Sequence, residues 1–264
     1  MSDTASTQPS SIPDIHLITV ADLFDALKRG WRDFLHAPAY GLAISALFVV
    51  GGLLLWWLAA RTGEIYWLVI GVFGFPLLGP FAAVGFYEIS HMREQGEHPS
   101  WGRVLGVVYG QKNRQIPSLC MMLILLFMFW AFVAHLIFTL FLGNVPMINI
   151  TTGYDVYLTG RGLAMLTVGT LVGGLLAGFV FASTVVGLPL LLDKEVDLIT
   201  AIITSIQSVF ANFRVMILWG LIVAGLLFVG MLPVFLGLLI VLPVLGHASW
   251  YLYRRVLYEE KPQG

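Results

Sequence analysis

Charge is scarce in this chain. Only 11% of its 264 residues are Asp, Glu, Lys or Arg, where a water-soluble domain carries about 25%. So few polar side chains cannot clothe a globule of this size, and a soluble enzyme is excluded. Neither sign of charge dominates: 14 Lys+Arg face 15 Asp+Glu, for a net charge of −1, which gives no basis for binding nucleic acid. Cysteine is nearly absent. Cys120 stands alone and cannot close an internal disulfide; inside an apolar stretch it reads as a small buried hydrophobe. The first 37 residues hold no continuous apolar core, so no cleavable signal peptide is expected.

What is abundant is apolar: 58% of residues, with a mean hydropathy of +0.88. The solvent of such a chain is largely lipid. Runs of spanning length occupy 40–60, 65–87, 118–142 and 162–185, and a longer one covers 215–253. That last run is almost twice the ~20 residues one crossing needs, and Gly230-Met231-Leu232-Pro233 near its middle supplies a turn. The spacing predicts an all-α membrane protein of six transmembrane helices arranged as three hairpins. No Asp, Glu, Lys or Arg falls inside any of these runs. Twelve basic residues, from Lys28 to Lys261, lie in segments that alternating topology places on one side, against Arg61 and Arg161 on the other. The positive-inside rule then puts both termini in the cytoplasm. Trp56, Trp57, Tyr66 and Trp67 at one end, and Trp250, Tyr251 and Tyr253 at the other, suit aromatic belts at headgroup level.

A polar tail (1–18) precedes a single membrane domain (19–258), and a short tail (259–264) follows it. Each hairpin is preceded by an amphipathic juxtamembrane helix, giving pseudo-repeats 19–98, 99–195 and 196–258. In the first such helix, Leu23, Phe24, Leu27, Trp31, Phe34 and Leu35 form an apolar face and Asp22, Asp25, Lys28, Arg29, Arg32 and Asp33 a polar one, which lays it in the interface plane. Thr19 with Asp22 resembles a capping box. The second helix starts after Pro99-Ser100. The third, from Asp197, sets Leu198, Ile199, Ile202, Ile203, Ile206, Val209 and Phe210 against Thr200, Thr204, Gln207 and Ser208 and carries no charge on its polar side, so it is expected to tuck partly beneath the bundle. In the long outer connection, Asn149-Ile150-Thr151 has the form of a glycosylation sequon and is read as a chance match.

Few residues offer chemistry. His135 and His247 are the histidines inside the runs. His135 lies 18 residues beyond Pro117, ~27 Å from the cytoplasmic edge, and His247 only ~10 Å from it. One haem iron cannot reach both, and each is read as a neutral, hydrogen-bonded structural residue. Glu88 and His91, with Ser90 and Arg93, offer a carboxylate–imidazole pair but read as a solvated helix end. Pro76 and Pro80, Pro189, and Pro243 interrupt the second helix of each hairpin. They either line a substrate site or, as the preferred reading, kink the helices so that a bundle closes. Gly169, Gly173 and Ala177, with Gly174, Gly178 and Ala182 beside them, form small-residue ribbons expected to pack within the monomer. No metal-ligand spacing, phosphate-cradling loop or triad is visible. No cofactor is expected.

The segments 26–34 (ALKRGWRDF), 74–90 (GFPLLGPFAAVGFYEIS), 100–108 (SWGRVLGVV), 184–197 (TVVGLPLLLDKEVD) and 242–255 (LPVLGHASWYLYRR) resemble a family of multi-pass bacterial inner-membrane proteins of unknown function, some labelled as similar to cytochrome c oxidase subunit I. The resemblance implies residence in a bacterial inner membrane and brings no catalytic residues. The oxidase label conflicts with six helices and two histidines at different depths. The expectation is a non-catalytic accessory, assembly or scaffold protein whose partners are the bilayer and a membrane protein or a second copy. The alternative is a permease or channel for a small uncharged solute.

Overall fold

In lipid a backbone must satisfy its polar groups internally, and a helix does so within one segment. The computed structural model describes residues 13–63, 66–143 and 154–258, with helices and short turns and no strand among them. In chain order the helices are α1 (Val20–His36), α2 (Pro38–Thr62), α3 (Tyr66–Glu94), α4 (Trp101–Gly110), α5 (Ile116–Leu142), α6 (Gly160–Thr184), α7 (Gly187–Asp193), α8 (Leu198–Ala211), α9 (Phe213–Met231) and α10 (Leu238–Leu257). The sequon and the outermost residues of both tails lie outside the described residues.

Among the described residues, four stretches are long and apolar enough to cross a membrane: Pro38–Thr62, Ile116–Leu142, Gly160–Asp193 and Phe213–Met231. α10 runs for 20 residues, but His247, Arg254 and Arg255 dilute its last turns; α3 runs for 29 residues, and its side chains up to residue 77 lie outside the described residues. The bend expected at 230–233 falls at 232–237, between α9 and α10.

The prolines act unequally. Pro76 and Pro80 sit within an unbroken α3 and Pro243 within an unbroken α10. Beside Pro189 the chain does break: α6 stops at Thr184 and α7 begins at Gly187. Pro189 thereby falls in the first turn of α7, where a missing N–H costs nothing.

The chain divides into two compact units. One comprises residues 1–120 and 182–264. In it α1 runs antiparallel along α10. The His16 amide donates to the Val256 carbonyl (2.8 Å), Asp22 pairs with Arg255 (2.9 Å), and Gly30 meets Val244 and Ala248. A Cβ at Gly30 would stand 2.6 Å from the Val244 carbonyl oxygen and 2.7 Å from the Ala248 nitrogen, so only glycine permits this approach. The start of α1 is fastened as expected: the Thr19 N–H and hydroxyl both donate to Asp22 Oδ2, at 2.7 and 2.8 Å. Asn212, after α8, holds the segment before α1 by accepting from the Ile18 amide (2.8 Å) and donating to the His16 carbonyl (3.0 Å).

One sequence expectation fails here. Asp33 does not belong to an outward polar face; it is 4% exposed, while Phe24, Trp31 and Leu35 of the apolar face are exposed at 61%, 45% and 55%. In α8 much of the weakly polar side turns inward: Thr204, Ser205 and Ser208 are buried with Val209, and Ile199, Ile203, Gln207 and Phe210 are exposed. The buried hydroxyls are satisfied locally: Thr204 and Ser208 donate to carbonyls four residues back (2.9 and 2.8 Å), and Ser205 accepts from the Val186 amide (3.1 Å). Small polar residues inside and large apolar ones outside is the arrangement of helices packed in lipid.

The second unit is Met121–Phe181, the remainder of α5 and most of α6. Gly173 packs on Trp130, whose ring would lie 2.9 Å from an added Cβ. Gly169, Gly174 and Gly178 have nothing within 4 Å of that position, so only part of the glycine ribbon is packed.

Candidate functional site

In the first unit three helices converge on one carboxylate. α1 carries Asp33 on the stripe that also holds Leu23, Ala26, Gly30 and Phe34, the face that packs inward. α3 supplies Ser90 and Arg93 three residues apart, and α10 supplies His247 and Tyr251 four apart, each pair about one turn. Asp33 Oδ1 accepts from Arg93 Nε (2.7 Å). Oδ2 accepts from the Ser90 hydroxyl (2.8 Å) and the Tyr251 hydroxyl (2.8 Å). Ser90 and His247 are wholly buried.

The proton positions follow from the partners. His247 Nδ1 lies 3.1 Å from the Phe86 carbonyl oxygen, which only accepts, and 2.9 Å from Ser90 Oγ. Nδ1 therefore carries the hydrogen and shares it between the two, because the Ser90 proton is committed to Asp33. Nε2 is left as a buried acceptor without a partner among the described residues. This geometry does not make a nucleophile. Ser90 gives its proton to a carboxylate and receives one from the imidazole, the reverse of what an activating base requires. Its chemistry is cohesive: one anion holds donors from two other helices, and the Arg93 charge balances it.

Neighbouring polar groups make separate fastenings. Glu88, with its side chain 7% exposed, accepts from Arg103 Nε of α4 (2.8 Å), and Arg103 also pairs with Glu97. Glu94 pairs with Arg254 (3.3 Å). Asp193 accepts from the Tyr253 and Tyr258 hydroxyls (2.7 and 2.5 Å).

The residues singled out in the sequence thus go different ways. His247 joins the network through Ser90, whereas Asp33, on which it centres, and Tyr251 were not singled out as site residues. Glu88 and Ser90 are not a solvated helix end: α4 covers the first, and α1 and α10 the second. His91 turns elsewhere, accepting from the Gln95 amide with its ring 5.2 Å from that of Trp250. Glu88, His91 and His247 therefore serve three different partners. His135 is exposed on α5. Pro80, Pro189 and Pro243 are buried, Pro243 against Gly41, whose added Cβ would lie 2.8 Å away. The Pro76 side chain lies outside the described residues.

Long apolar helices, hydroxyls turned inward and charges paired with one another define a multi-pass helical membrane protein. In agreement, residues 67–193 match the model of the family described as Predicted integral membrane protein (DUF2189), a stretch from α3 to the end of α7. It holds Glu88, Ser90, His91 and Arg93, whereas Asp33, His247 and Tyr251 lie on either side of it. No curated protein and no solved structure matches the chain.

Proposed function

We propose that the chain is a bacterial inner-membrane protein with six membrane-crossing helices and both termini in the cytoplasm, and that it acts as a non-catalytic accessory, assembly or scaffold protein. The carrying observation is that Asp33, Glu88 and His247, buried among the described residues, are each engaged by a group on another helix: Asp33 by Arg93, Glu88 by Arg103, His247 by Ser90. Groups so engaged hold a platform together instead of meeting a substrate. The topology draws support from the same bonds. Asp22–Arg255, Asp33–Arg93, Glu94–Arg254 and Asp193–Tyr253 join segments separated by long apolar runs, and groups within 3.3 Å of each other share one side of a bilayer. Helices α3 and α10 then cross as the partners of α2 and α9, with their polar last turns at the cytoplasmic end.

The close packing where α1, α3 and α10 meet, with Ser90, His247, Ala248, Trp250 and Tyr253 fully buried, supports the scaffold reading over a permease for a small uncharged solute. Purification in mild detergent is expected to co-isolate a membrane protein in fixed stoichiometry. A solitary monomer in several detergents, with or without added lipid, refutes the scaffold role. Cysteine-labelling of variants at Lys112 and Asp155 tests the topology separately, because the two must react from opposite sides.

A further inference from the structure

We infer that the outward face of α1 is a binding surface for anionic phospholipid headgroups, with Lys28 and Arg32 as the phosphate ligands and Phe24, Trp31 and Leu35 as the acyl-chain contacts. At 100° per residue these five side chains fall in one arc of the helix, opposite the stripe that packs on α10. All five are exposed. Both α1 and α8 turn large apolar side chains outward, Phe24, Trp31 and Leu35 on one and Ile199, Ile203 and Phe210 on the other, as suits a lipid medium, and the two helices differ in one respect. The outward residues of α8 (Ile199, Ile203, Phe210) carry no charge and suit hydrocarbon, whereas α1 sets two cations one turn apart among apolar side chains.

Position strengthens the assignment. Lys28 and Arg32 flank Gly30, which sits against Val244 and Ala248, six to ten residues from Arg254. That is ~9–15 Å along α10 from its basic end, within or just beneath the headgroup layer. A cation on an apolar surface at that depth extends its head toward the interface and takes a phosphate as counter-charge. The nearby acid Asp25 is already paired with Arg29 (2.9 Å), leaving the arc net positive. Trp31 adds an amphipathic ring of the type that settles at headgroup level.

The test uses the full chain reconstituted into phosphatidylcholine vesicles containing about one-tenth photo-crosslinkable phosphatidylglycerol or, separately, photo-crosslinkable phosphatidylcholine, with adducts mapped by mass spectrometry. Adducts on residues 20–36 are expected to favour phosphatidylglycerol severalfold. In K28Q/R32Q, that preference should fall to parity, since each surface cation contributes about fivefold to anionic-lipid binding. Both side chains are exposed, so the variant keeps its thermal stability, and the zwitterionic-lipid adducts report that the face still meets lipid. Inorganic phosphate at millimolar concentration should leave the adducts unchanged. Equal labelling by the two lipids overturns the inference, as does displacement by phosphate, absence of lipid adducts on α1, or a protein crosslinked there instead. A failed scaffold role would leave these outcomes unaltered.

Discussion

Replacing Asp33 by alanine removes the anion on which α1, α3 and α10 converge. Three donors lose their acceptor at once: Arg93 Nε, the Ser90 hydroxyl and the Tyr251 hydroxyl, all now within 2.8 Å of a carboxylate oxygen. Breaking a buried pair by deleting one partner costs about 3–5 kcal/mol, because the other charge is left uncompensated. The Arg93 side chain is 25% exposed and can turn partly toward water, which places the loss near ~3 kcal/mol. At ~2–4 °C per kcal/mol for a chain of this size, the unfolding midpoint of the full chain in detergent should fall by about 10 °C. The diagnostic comparison is D33A with D33A/R93L. If the penalty is a stranded charge, removing Arg93 as well recovers part of it, and the double variant melts above D33A. D33N, which keeps the shape and one acceptor oxygen, should fall between wild type and D33A. A midpoint for D33A within ~2 °C of wild type, or a double variant whose loss is the sum of the two single losses, refutes the network as the clamp of this unit.

Gly30→Ala should destabilise by about 1–3 kcal/mol, seen as a lower midpoint in the same assay, because the new methyl meets the backbone of Val244 and Ala248 and no side chain can rotate away. Gly246→Ala should behave similarly, with its methyl placed 2.5 Å from the Phe86 ring. Gly174→Ala is expected to be neutral or slightly stabilising, since nothing lies within 4 Å of its added carbon and alanine is the better helix former. Burial raises the Asp22 pKa, but hydrogen bonds from the Thr19 amide and hydroxyl and the charge of Arg255 outweigh it and hold the carboxyl below its ordinary value. A group lowered on folding stabilises above its unfolded pKa and loses that contribution as pH falls through its folded pKa. D22N should therefore cost stability at neutral pH, with the difference from wild type narrowing below about pH 4.

The helical class, the bend after Gly230 and the start of α1 at Thr19 were all legible in the sequence, because each depends on residues close together in the chain. The network was not. Asp33 lies 57 residues from Ser90 and 218 from Tyr251, and on a helical wheel it sits among Asp22, Asp25 and Arg29 as though facing water. The wheel misled for a physical reason. It assumes that the polar side of a helix faces out, and in lipid the rule is weakened or reversed, as α8 demonstrates with its serines inward. Gly30 and Gly246 were the available clues, since glycines at those positions mark where α10 is approached closely by Val244 and Ala248's partner helix and by Phe86. Periodicity along α10 could not reveal that Ser90 of α3 would be the neighbour of His247.

The bend between α9 and α10 forces Val234 and Phe235 to φ of 52° and 64°, a conformation that glycine or asparagine adopts with little penalty and a β-branched valine resists. Leu232, Val234, Phe235 and Leu236 are all exposed there. An Asn-Gly pair would relax the backbone while wetting the tip, so the hairpin keeps a contorted elbow in exchange for an oily one. Grafting Asn-Gly at 234–235 would set those two demands against each other, easing the fold of the loop while drawing it out toward water.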